Sequence, residues 1–156
     1  MDQSVQTAFS TIKDWDLTAP KQYLIEREGF DAARVQAMEI EYKRFLAMTK
    51  AFDNELIPIS AEVDPLWHAH ILFTHDYTDL CVALGGDYLH HIPAVSADDR
   101  EQLRDSYKQN TLPIYQRNFG EPDNSFWGRN AQICINCCAR TGSGGGSKAE
   151  RRTLAI

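Results

Sequence analysis

At 156 residues the chain is long enough to bury a hydrophobic core without help from disulfides or a structural metal. Its 16 basic and 22 acidic side chains leave a net charge of -6, which argues against the concentrated basic face that duplex DNA requires. No apolar run approaches the roughly 20 residues of a membrane span, and the N-terminus lacks the basic start and apolar stretch of a secretory signal.

The expected compartment is therefore the cytosol, and the expected partner is a protein or small molecule rather than a nucleic acid or a membrane. The four cysteines fit that reading. Cys137 and Cys138 are adjacent and Cys81 stands alone in an apolar pattern, which is not the spacing of a secreted disulfide framework.

Taken in chain order, Val5, Ala8, Phe9 and Ile12 lie on one face of a first helix running to about Trp15. Pro20 suits the first turn of a second helix, which Gly29 can end in a left-handed conformation. Asp31 is placed to cap a third, long helix reaching about Phe52, with a stripe through Val35, Met38, Tyr42, Phe45 and Leu46. On its opposite side Glu39 and Lys43 form an i, i+4 pair. Asp53 to Val63 contains Pro58 and reads as an extended connection.

Asp64-Pro65 is a strong helix start, with the aspartate able to accept from free first-turn N–H groups. The helix it opens should run to about Leu84, stop at Gly85 and Gly86, and be apolar nearly all round, the mark of a central, buried element. Ser96 to Asp99 resembles a capping sequence for a further helix ending near Gly120, kinked or divided at Pro113. Phe126 and Trp127 are expected to pack back on the core. The fold class is thus all-α: a compact, bundle-like helical domain over residues 1–130. A flexible Cys/Gly-containing tail over 131–156 follows it, partly disordered by composition.

All five histidines fall between His68 and His91, inside a stretch from Ala51 to Asp99 that holds no lysine or arginine. Neutral imidazoles beside carboxylates without competing cations favour a divalent metal, zinc among them. Asp64, His68, His70, His90 and His91 are the candidate ligands. At 100° per residue Asp64 and His68 share a face and can converge, while His70 points nearly the other way, beside Tyr77 and Cys81. His75 is about 10 Å of helical rise from His68, too far to share an ion. An extended backbone sends His90 and His91 to opposite sides, so one of them joins, with His91 favoured. Each residue also has an ordinary structural explanation, as a cap, a buried hydrogen-bonding group or a loop residue.

Asp64-x-x-Trp67-His68-x-His70, followed by Tyr77, Cys81, Gly85 and a histidine at 91, resembles the glycine-rich domain-containing protein-like family. The similarity covers mainly Val63 to Pro93. It implies a polar centre at Asp64, Trp67, His68, His70, Tyr77 and His91, and it brings no established reaction with it. His75 lies outside the motif. In the tail, Cys134, Cys137 and Cys138 give a C-x-x-C spacing that would suit zinc, though a closed site needs a fourth donor.

Two functions fit these residues. One is a divalent-metal-binding domain with an interaction or scaffolding role. The other is a metal-dependent hydrolase in which the ion activates water. The zincin H-E-x-x-H, the G-x-S-x-G elbow, the P-loop and the dinucleotide fingerprint are all absent.

Overall fold

Helical spacing of apolar residues sets the first three elements of the fold. The computed structural model describes residues 1–86, 88–128 and 133–140, the last stretch as backbone alone. Helix α1 (Gln3–Ile12) buries Val5, Ala8 and Ile12; α2 (Thr18–Arg27) buries Pro20 and Leu24. Gly29 ends that second unit at φ 74°, the left-handed conformation expected of it. Asp31 caps α3 (Ala32–Ala51) by accepting from the Arg34 N–H at 2.8 Å. Helices α1 and α2 both lie against α3, whose Val35, Met38, Tyr42, Phe45, Leu46 and Met48 form the middle of the core.

The Glu39–Lys43 pair forms, at 2.6 Å, but Lys43 is buried rather than solvated. Its ammonium also donates to the Lys13 and Trp15 carbonyls, so it closes the open C-terminal end of α1. Lys21 bonds the same Glu39 carboxylate from α2, tying three helices at one point.

The single helix expected over 64–84 is two. Helix α4 (Asp64–Leu72) and α5 (Thr74–Ala83) meet at Phe73, whose ψ of 65° leaves the helical region. Gly85 and Gly86, both at positive φ, end α5 as expected. Asp64 is the first residue of α4 rather than its cap: the N-cap is Val63, with no side-chain capping bond.

Ser96 and Asp99 build a reciprocal capping box that opens α6 (Ala97–Ser106). Pro113 divides the next segment as its missing N–H requires. A π-helical turn, Tyr107–Thr111, precedes α7 (Leu112–Phe119), with the proline in its first turn. The short α8 (Asn124–Trp127) then folds back: the Trp127 indole donates to buried Glu41 on α3 at 2.7 Å.

The fold is all-α in class, with a small sheet added at one side. Strands β1 (Ile57–Ser60), β2 (His90–Ile92) and β3 (Ile133–Arg140) form an antiparallel sheet in the order β1-β3-β2. Pro58 fits because β1 is an edge strand, where a missing backbone donor is tolerated. Residues 133–140, expected to belong to the tail, pair with both edges, and Ala139 stands opposite His91 and Ile57. The other tail residues, with the side chains of Cys134, Cys137 and Cys138, lie outside what is described.

Candidate metal centre

Asp64 opens α4 and His68 follows one turn later, so their side chains rise on the same face. The carboxylate is buried, and its Oδ2 lies 3.3 Å from His68 Nδ1. Across the groove, β2 alternates as a strand should: His90 and Ile92 face solvent and His91 turns inward. His91 Nε2 stands 3.2 Å from Asp64 Oδ1, and its ring lies 4.4 Å from that of His68. One donor atom from each of the three residues falls within 4.8 Å of the others, an arrangement able to hold a metal ion. The two imidazoles approach different oxygens of the one carboxylate.

The position of His91 is fixed by a buried chain of hydrogen bonds. The Trp67 indole N–H donates to the Tyr77 hydroxyl at 2.9 Å, and that hydroxyl donates to the Leu89 carbonyl at 2.6 Å. Burial pushes the Tyr77 hydroxyl far above its ordinary pKa and keeps it a donor. The Trp67 ring also lies 4.4 Å from the His91 ring, so one indole both anchors the strand and packs against the ligand it presents.

His70 is not brought to this cluster. It is fully buried on the other side of α4, where Tyr42 Oη meets Nδ1 at 3.0 Å and Asp76 Oδ2 meets Nε2 at 2.7 Å. Burial lowers the imidazole pKa against the opposing pull of Asp76, and it raises that of Tyr42 well above normal. Both shifts describe one proton arrangement: a Tyr42 hydroxyl donating to Nδ1 and a neutral His70 donating from Nε2. Asp76 Oδ1 in turn accepts from the Trp15 indole at 3.2 Å, linking α5 to the end of α1. His90 is exposed against the Tyr88 ring, and His75 is exposed on α5.

Sequence reasoning paired Asp64 with His68 and favoured His91, and the structure brings those three together. It missed Asp76 and Tyr42 as partners of His70. An unbroken helix would put residues 70 and 76 about 120° apart on its surface. The turn at Phe73 brings them together, and the sequence signals it only through Thr74, a weak helix-start residue.

His68 and His91 also line a groove of about 730 Å³ between α2 and α4, with Tyr23, Phe30, Ile71 and Leu72 among its apolar walls. These two histidines thus face a concave, largely apolar space of the size small ligands occupy.

The fold and the cluster define a helical domain with an Asp/His/His centre open to a groove. Residues 8–113 match the model of the UCP032817-like family, and the chain belongs to that family, whose name carries no activity. The matched region includes Asp64, His68 and His91. No curated protein and no solved structure matches the chain. Among the described residues no helix is long and apolar enough to cross a membrane.

Proposed function

We propose that this protein binds one divalent cation, zinc by ligand type, through Asp64, His68 and His91, and that the bound ion serves as a docking point for a ligand or partner. The convergence of the three donor groups within 4.8 Å carries the reading. Two imidazoles and a carboxylate suit zinc, and three protein ligands leave a coordination position open. The Asp64 carboxylate is buried with an imidazole on each oxygen, a mixed oxygen and nitrogen donor set that suits a divalent cation. The D-x-x-W-H-x-H resemblance, which includes Asp64, Trp67 and His68, agrees with a polar centre here.

Untagged protein should carry near-stoichiometric zinc by elemental analysis, and His68→Ala should remove it. The imidazole of His68 is about half exposed, so its loss leaves the core intact. Metal-free protein whose thermal stability does not respond to added zinc would sink the reading.

A second reading, a metal-dependent hydrolase, gains from the groove, which gives a substrate a place beside the open coordination position. A metal there would supply Lewis acidity, and Glu28, which lines the same groove, is the carboxylate to move a proton. Hydrolysis of an activated ester by the zinc form, lost in Glu28→Gln with zinc content unchanged, would favour it over docking alone.

A further inference from the structure

We propose that the groove beside Asp64, His68 and His91 takes a small monocarboxylate with an apolar body, its carboxylate at the metal and its hydrocarbon part between α2 and α4. This rests on the metal reading above. A divalent ion with one carboxylate and two neutral imidazoles keeps a net positive charge, so the open coordination position selects an anionic head. Beyond that head the walls are hydrocarbon and aromatic: Tyr23 and Phe30 from the α2 side, Ile71 and Leu72 from α4, and Pro93 after β2.

Leu72 lies one turn past His68, about 6 Å further along the axis, which gives the apolar body its direction and approximate reach. Its 61% exposure is high for a leucine and is what a ligand in the groove would cover. The lining holds no lysine or arginine to pair with a second carboxylate on the ligand, and its one carboxylate, Glu28, is a like charge. Charge and shape together select a monoanion with one greasy end over a dicarboxylate or a short polar acid.

The test uses the full chain loaded with Co²⁺, whose visible absorption reports changes in its ligands, titrated separately with 4-phenylbutyrate, acetate and adipate. The expected result is a spectral change with 4-phenylbutyrate and binding at least about tenfold tighter than for the other two. Leu72→Ser, a change at an exposed position, should reduce that preference at least about threefold while leaving Co²⁺ affinity unchanged. Co²⁺ bands that appear normally, with 4-phenylbutyrate no tighter than acetate or adipate or with Leu72→Ser without effect, would overturn this inference and leave the metal reading standing. Absence of Co²⁺ bands would overturn both.

Discussion

The Tyr77 hydroxyl donates a 2.6 Å hydrogen bond to the Leu89 carbonyl, two residues ahead of His91 in the chain. The same oxygen accepts from the Trp67 indole, so α4, α5 and the approach to β2 are joined at one buried atom. Tyr77→Phe keeps the ring and removes that atom, leaving the Trp67 N–H and the Leu89 carbonyl without this partner. Chemical denaturation should show a loss of about 1–3 kcal/mol. Zinc affinity should fall by roughly 10- to 100-fold, the usual effect of losing a group that orients a ligand. An unchanged zinc affinity would mean that the ring contact between Trp67 and His91 holds the histidine by itself.

Asp64→Asn tests the centre with the least change of shape. The amide fills the same space beside both histidines but lacks the charge that a cation needs. Zinc binding measured by calorimetry should weaken by at least about two orders of magnitude, since a neutral amide is a poor zinc ligand. The metal-free fold should lose little. If the chief role of Asp64 were to bond the two imidazoles, zinc uptake would survive the change.

His70 separates structure from ligation. With Tyr42 and Asp76 on its two nitrogens it is already satisfied, and it sits away from the cluster. His70→Gln should lower stability by about 1–3 kcal/mol through misaligned buried bonds, while zinc stoichiometry stays as in the parent. Loss of zinc from a folded His70→Gln protein would place that side chain in the centre after all.

Glu39 should contribute to acid sensitivity, beside Asp16, Asp99 and Asp123, whose carboxyls are also held below the usual range by hydrogen bonds to neighbouring backbone and side-chain groups. Burial pushes the Glu39 carboxyl pKa up, but the bonds from Lys21 and Lys43 outweigh that, and the net shift is downward from 4.5. A carboxylate whose folded value is depressed binds fewer protons folded than unfolded. Its contribution is therefore fully present above about pH 4.5 and is lost as pH falls through the folded value. Glu39→Gln should cost roughly 1–3 kcal/mol at neutral pH, and the difference from the parent should shrink on acidification. A difference that stayed constant from pH 7 to pH 3 would show that the carboxylate charge contributes nothing.

Much of this arrangement is legible in local sequence because its causes are local. Asp31 capping α3, Gly29 and Gly85 ending helices, the Ser96–Asp99 box and the i, i+4 approach of Asp64 to His68 each depend on residues at most four apart. Strand alternation says that only one of His90 and His91 can reach the site; which one is set in the fold by the anchored Leu89 carbonyl and the pairing of β2 with β3. What local pattern does not contain is the break at Phe73, where apolar residues continue on either side and hide the change of direction. Nor does it contain pairings over long separations, such as Tyr42 with His70 or β3 with both β1 and β2. Strands of three and four residues are too short to show a period, and Pro58 conceals one of them.

The last long-range pairing fixes the C-terminal end of the helical domain and gives the fifth prediction. Glu41 is buried on α3, with Arg44 at 2.9 Å on one oxygen and both the Tyr115 hydroxyl, at 2.6 Å, and the Trp127 indole, at 2.7 Å, on the other. Three donors from α3, α7 and α8 thus compensate one carboxylate, and removing one leaves two. Trp127→Phe should accordingly cost about 3 kcal/mol or less, combining a lost charge-assisted bond with a smaller ring in the core. Glu41→Leu strands the Tyr115 and Trp127 donors together and leaves Arg44 without its carboxylate, so it should cost more, about 3–5 kcal/mol. In a double-mutant cycle between Glu41→Gln and Trp127→Phe, the coupling should be about 1 kcal/mol or more, because the two groups touch. Additive losses would mean that α8 is held by the packing of Phe126 and Trp127 and that the indole bond is incidental.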